Sequence, residues 1–183
     1  MRFEPAPLDG AYVVHMEPRS DARGTFSRAF CAREFASLGL ETKFVQTNIS
    51  TTVEPGTVRG LHFQRAPHQE VKLVRCVMGA IYDVIVDMRE GSPTRWRWFG
   101  SELTDENGAA LYVPRGFAHG FQALTGGATV LYQVSTFYAP EVEGGLRYDD
   151  PAIEINWPLA MADLSGKDAT WPWISLLPTD RLI

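Results

Sequence analysis

The sequence predicts an all-β fold, a sandwich or barrel of short strands with a few short helices. Three observations predict it. Runs rich in Val, Ile, Thr, Tyr and Phe recur at regular spacing, about ten of them, as in sandwiches and barrels. Turn-forming stretches such as "EPG" (54–56), "DENG" (105–108) and "TGG" (125–127) fall between them. The first half holds one convincing helix, "CAREFASLGL" (31–40), with Phe35 and Leu38 on one side and Gly39 as a stop.

In chain order, "AYVVHM" (11–16) and "TFSRAF" (25–30) flank the turn-like "RSDARG". After the helix come "FVQTNIST" (44–51), "TVRGLHFQ" (57–64), "EVKLVRCV" (70–77) and "AIYDVIVDM" (80–88). "RWRWFGSEL" (95–103), "ALYVP" (110–114), "FAHGFQAL" (117–124) and "TVLYQVSTF" (129–137) complete the set. The tail, 151–183, holds four of the 12 prolines and a short helix-like "MADLSGKDA". It reads as a flap packed on a single domain spanning 1–183.

At 183 residues and 45% hydrophobic content, the chain can bury a sizeable core. Its charge, 17 minus 22 or −5, gives no case for nucleic acid, although a local basic site can still hold an anion. Cys31 and Cys76 fit no metal or redox spacing and read as small buried hydrophobes. Residues 1–20 contain Glu4, Asp9 and Glu17 and do not read as a signal peptide. No apolar run approaches the ~20 residues a membrane helix needs. The expectation is a cytoplasmic protein without membrane partners.

Strand parity makes a statement about the interior. Alternate residues of a strand share a face. Lys72 therefore accompanies Val74 and Cys76, Asp83 accompanies Ile81 and Ile85, and Tyr132 accompanies Val130 and Val134. Burying such groups without partners costs several kcal/mol. Each row taken alone is equally explained by a solvent-facing strand or by local hydrogen bonds. Lys72, Tyr132 and His62 together describe an interior that collects a cation, a phenol and an imidazole, as a site does.

"GLHFQ" (60–64) and "PRGFAH" (114–119) resemble the histidine motifs of the cupin barrel. Metal-binding cupins carry H-x-H, a nearby carboxylate and a later histidine. Here Gln64 stands at the second histidine and Lys72 near the carboxylate, and an ammonium is a poor neighbour for a divalent ion. Neither metal nor other cofactor is expected. Lysine, histidine and tyrosine around one cavity suit proton transfer beside a carbonyl, which needs a base, a cation at the developing oxyanion and an acid.

"DARGTFSRAF", "FVQTNIS", "VRGLHFQ", "VKLVRCVMGAIYDVIVDMR", "LYVPRGFAHGF", "TFYAP" and "LSGKD", in this order, resemble the dTDP-4-dehydrorhamnose 3,5-epimerase family. The resemblance implies a metal-free cupin-type jelly roll, an isomerase of deoxysugar biosynthesis (rhamnose among the products), and a homodimer whose N-terminal strands cross between subunits. Its substrate class is a nucleotide-diphospho-4-keto-6-deoxy sugar inverted at C3, C5 or both. It implies His62 as base, Asp168 as its carboxylate, Tyr132 as opposite-face acid and Lys72 at the C4 oxygen. It implies ligand contacts from Arg23, Gln46, Asn48, Arg59, His119, Glu143 and Lys167, and an aromatic position for the base at Phe137 and Tyr138. Read without the resemblance, Arg59 is equally a surface charge, His119 a satisfied core histidine and Asp83 a buried structural partner. Parity also sets Arg59 and His62 on opposite faces, so a shared ligand requires a bulge near Gly60.

One departure concerns the nucleotide. Where thymidine-using relatives carry a glutamate that accepts from thymine N3–H, this chain has Arg28, which only donates. A CDP-linked 4-keto sugar is therefore an alternative expectation. A 3,4-ketoisomerase and a non-catalytic sugar-nucleotide binding module are the other two.

Overall fold

The structure, a computed structural model, describes residues 1–176; the end of the expected flap, 177–183, lies outside them. In chain order the elements are β1 (Arg2–Pro5), β2 (Tyr12–His15), β3 (Arg19–Asp21), β4 (Gly24–Phe26), α1 (Ala32–Ala36), β5 (Gln46–Thr52) and β6 (Val58–Gln64). There follow β7 (Lys72–Met78), β8 (Ala80–Asp87), β9 (Trp98–Thr104), β10 (Ala110–Val113), β11 (Phe117–Ala123), β12 (Ala128–Val134), β13 (Glu143–Gly145) and α2 (Gly166–Ala169).

The strands form a six-stranded sheet ordered β1-β2-β10-β7-β12-β5 and a five-stranded sheet ordered β13-β6-β11-β8-β9. Every pairing between these strands is antiparallel. β3 and β4 make a separate exposed hairpin. This is the antiparallel sandwich that the short runs predict, in the jelly-roll form that the family resemblance implies.

The parity argument sorts the interior. Val74, Cys76, Leu111, Val113 and Val130 from the first sheet meet Ile81, Ile85, Leu103, Phe121 and Ala123 from the second in the central core. The outward parity is apolar too. Leu73, Val14, Ala110 and Tyr112 are covered by Phe35 of α1, with Phe30 and Phe44 against them. Leu61, Phe63, Val84 and Val86 are covered by Leu146, Ile153 and Trp157. Strands covered on both faces lose their polar alternation, which explains near-continuous runs such as "LYV" and "VIV".

β1 and β13 are not among the expected strands, and three further elements differ from expectation. "RSDARG" contributes strand β3 rather than turn alone, and its hairpin partner β4 ends at Phe26. The helix covers 32–36, not 31–40. Ser37 Oγ takes the Glu34 carbonyl, and Leu38 and Gly39 donate back three residues, tightening the chain before Gly39 turns at φ +70°. Leu38 is consequently exposed while Phe35 is fully buried. In the tail, α2 covers only Gly166–Ala169 of the expected "MADLSGKDA", and a single 3-10 turn follows at Ile174–Leu176.

The tail packs along the five-stranded sheet. Gln122 brackets Leu159 with two side-chain hydrogen bonds, and Val58 N–H donates to the Asp163 carbonyl. A parallel bridge joins Val58 and Leu164. These contacts deliver α2 to the mouth of the sandwich. Among the described residues no helix is long and apolar enough to cross a membrane.

Candidate active site

Two adjoining clefts, of about 410 and 380 Å³, open between the sheets, and both are lined by His62, Lys72 and Tyr132. His62 comes from β6 in the five-stranded sheet; Lys72 and Tyr132 come from β7 and β12 in the other. An imidazole thus faces a phenol and an ammonium across the sandwich.

The backbone at β6 makes this possible. β11 pairs His119 with His62 but Phe121 with Arg59, so Gly60 and Leu61 stand opposite Gly120 alone. That is the bulge expected near Gly60, and Arg59 and His62 line the same cleft. The bulge needs glycine on both strands. A Cβ on Gly60, at φ +123°, would lie 2.6 Å from Gly120 Cα; one on Gly120 would lie 2.7 Å from the Arg59 carbonyl.

Asp168 reaches His62 from α2. Ser165 caps that short helix by accepting from Asp168 N–H at 3.0 Å, which fixes the residue's direction. The carboxylate then accepts from His62 Nε2 at 2.6 Å and Trp171 Nε1 at 3.2 Å through Oδ1, and from Gly60 N–H at 3.2 Å through Oδ2. Burial pushes the Asp168 carboxyl up, but the His62 bond and field and the other two donors outweigh it and hold it below the usual range. An ionised carboxylate only accepts, so Nε2 carries the hydrogen, and in the neutral ring Nδ1 carries the lone pair.

A second imidazole lies beside the first. His119 Nε2 meets Asp83 Oδ1 at 2.8 Å, and the other oxygen of this buried carboxylate has no hydrogen-bond partner among the described residues. His119 keeps one edge on the cleft, so it is both a bonded core histidine and a cleft residue.

Opposite, Tyr132 is held protonated. Burial raises its phenol pKa and the Glu70 carboxylate raises it further, against a smaller lowering by Arg59. Lys72 is buried and pairs with Glu70 at 3.2 Å. At the rim, Glu143 accepts from Lys167 and from the Tyr138 hydroxyl. Burial raises the Glu143 pKa, but those two donors win and keep the carboxyl low.

Lys167 and Asp168 line the first cleft; Gln46, Asn48, Tyr138 and Glu143 line the second. Three expected ligand residues are not brought there within one chain. Arg23 is 90% exposed on the β3–β4 turn and pairs with Asp21. Arg28 is exposed and pairs with Glu34 at 3.2 Å, beside Glu17 and the chain's amino group. Phe137 is 65% exposed outside both clefts. For Arg23 the reason is topological: the β3–β4 hairpin projects from the sandwich and its strands are exposed at every position. Sequence reasoning missed Glu70 and Gln64, although each lies two positions from a chosen strand residue and parity puts it on the same face. Trp171 was missed as well, and no sequence signal marks an indole in a proline-rich tail.

Comparison with known proteins places the chain in a family. A family model for dTDP-4-dehydrorhamnose 3,5-epimerase matches residues 5–175. A dTDP-4-dehydrorhamnose 3,5-epimerase of Sinorhizobium fredii is 44% identical over 97% of this chain and 92% of its own. The crystal structure of dTDP-4-dehydrorhamnose 3,5-epimerase from Elizabethkingia anophelis superposes with a TM-score of 0.93 at 39% identity, over 96% of this chain and 97% of that one. A dTDP-6-deoxy-D-glucose-3,5-epimerase of Legionella pneumophila, in complex with dTDP-4-keto-L-rhamnose, superposes with a TM-score of 0.92 at 36% identity, over 98% and 95%. The protein is an enzyme, a carbohydrate epimerase on a jelly-roll scaffold. The chain belongs to the dTDP-4-dehydrorhamnose 3,5-epimerase family.

Proposed function

We propose that the enzyme inverts C3 and C5 of a dTDP-linked 4-keto-6-deoxy sugar. The observation that carries this reading is the placement of His62 and Tyr132 on opposite sheets of one cleft, with Lys72 on the Tyr132 side. His62 Nδ1 removes the proton from the carbon beside the C4 carbonyl. The C–H electron pair moves onto the C4 oxygen, where Lys72 stabilises the enolate. Tyr132 then delivers a proton to the same carbon from the other face, and solvent exchange returns His62 and Tyr132 to their starting states. Asp168 keeps the imidazole oriented and supports its charged form. Arg59, His119 and Lys167 hold the sugar diphosphate, for which arginine's paired donors are suited.

Thymidine is the preferred base because the relatives are named for dTDP sugars and because Glu34 already engages Arg28. The outward-facing hairpin that carries Arg23, together with Phe26 at 69% exposure, supports a homodimer in which it reaches the partner's cleft. We assign the enzyme to the cytoplasm, where sugar nucleotides are made.

Deuterium incorporation from D₂O into a dTDP-4-keto-6-deoxy sugar, read by NMR at C3 and C5, tests the proposal. His62→Ala is expected to abolish exchange while the fold survives. Tyr132→Phe is expected to exchange a proton but invert poorly. Full epimerisation by both variants refutes the mechanism, and isotope appearing at one carbon alone refutes the double inversion. Side-by-side titration with CDP and dTDP tests the base, and a mass measurement in solution tests the dimer.

A further inference from the structure

We propose that Trp171 is a positioning residue of the imidazole–carboxylate pair, holding Asp168 through its indole N–H. The inference rests on the reading of His62 as the base.

Asp168 Oδ1 is shared. His62 Nε2 lies 2.6 Å away and Trp171 Nε1 lies 3.2 Å away, while Oδ2 is occupied by Gly60 N–H. His62 and Gly60 lie on β6, so without the indole every side-chain donor to this carboxylate would come from the residue it has to orient. Trp171 is the one side-chain donor, apart from His62 itself, that the carboxylate has among the described residues. It fixes the carboxylate plane independently of where the imidazole stands during proton transfer.

The ring's own position is over-determined. It packs on the backbone of Gly145, which pairs directly with His62 across β13 and β6. A Cβ on Gly145 would lie 2.2 Å from the indole, so glycine is required for the ring to sit there. The indole meets the His62 ring edge-on at 6.4 Å between centroids, and Lys167 Nζ stands 5.6 Å from the indole centroid. The indole also shields the carboxylate: Asp168 is almost fully buried although α2 is a surface turn. In such a shielded site each hydrogen bond to a charged acceptor counts for more than in water.

Trp171→Phe keeps an aromatic six-membered ring at the position but removes the donor. Steady-state epimerisation of a dTDP-4-keto-6-deoxy sugar by this variant is expected to show kcat about tenfold lower with KM unchanged, as for loss of one hydrogen bond to a charged group. Gly145→Ala, which displaces the ring, is expected to lower kcat at least as far. Wild-type kcat in Trp171→Phe overturns the inference. A direct readout needs no turnover. The indole ¹H–¹⁵N resonance that disappears in Trp171→Phe is expected to move upfield and exchange faster in Asp168→Ala, and an unmoved resonance also overturns it. If His62→Ala is fully active, the assignment of the base fails first, and the indole resonance still reports on the Trp171–Asp168 bond.

Discussion

Replacing Gly60 by alanine should separate the two things glycine does in the bulge. The added Cβ would lie 2.6 Å from Gly120 Cα and 2.9 Å from the His119 carbonyl. Carbon atoms rest at ~3.5–4.0 Å, so β6 and β11 must part by about 1 Å. Overpacking of this kind costs about 1–3 kcal/mol. Placing an L-residue at φ +123° costs about 1–3 kcal/mol more. The sum, about 2–6 kcal/mol, is a large share of the ~5–15 kcal/mol that holds a typical domain folded. Gly24 provides the control, since its φ is +132° and nothing lies within 4 Å of its added Cβ. Gly24→Ala should therefore cost only the conformational part. Urea unfolding followed by circular dichroism measures both. Activity adds a second test: moving Gly60 N–H away from Asp168 and Arg59 away from the cleft by about 1 Å should lower kcat/KM about a hundredfold for the folded fraction. If Gly60→Ala is no less stable than Gly24→Ala, the two strands do not approach as described and the reasoning fails.

Asp87 should dominate the acid limb of stability. Burial pushes its carboxyl up, but Arg89, Ser92 and Thr94 outweigh it and bring the pKa from 3.8 down to about 2. A depressed carboxyl stabilises the fold above its unfolded pKa and loses that contribution as pH falls through the folded one. The contribution is about 2 kcal/mol at neutral pH; Asp87→Asn should remove that much of the stability difference between pH 7 and pH 2 in urea melts, and an unchanged difference contradicts it. Phe35→Ala should cost about 3–5 kcal/mol, because this fully buried ring is what α1 anchors to the outer face of the sheet. Its kcat, corrected for the folded fraction, should stay at the wild-type value because Phe35 lines neither cleft.

Much of the architecture could be read from strand parity. Lys72 beside Val74, Asp83 beside Ile81 and Tyr132 beside Val130 point inward as alternation requires. What escaped has physical reasons. β1 is a four-residue edge strand, mostly exposed, whose only inward-packing side chain is Phe3, too short a pattern to mark a strand. β3 is exposed at all three positions, so Arg19, Ser20 and Asp21 show no alternation. β13 is "EGG", whose glycines make room for Phe63 and Trp171 instead of displaying side chains. The site was legible in part. A bulge at Gly60 followed from chemistry that needed Arg59 and His62 on one side. The pairing of Asp168 with His62 could not follow from spacing, because 106 positions separate them; it came from family resemblance.

That separation has a consequence for synthesis of the chain. By the time β12 has emerged from the ribosome, the imidazole, the lysine and the phenol already belong to a nearly finished sandwich. The carboxylate arrives only with residue 168, on a segment held to β6 by one bridge and a few backbone bonds. A polypeptide interrupted before α2 would keep the strands of both sheets yet lack the carboxylate that bonds the imidazole. On the proposed mechanism, premature termination is expected to yield a chain that does not turn over its sugar nucleotide.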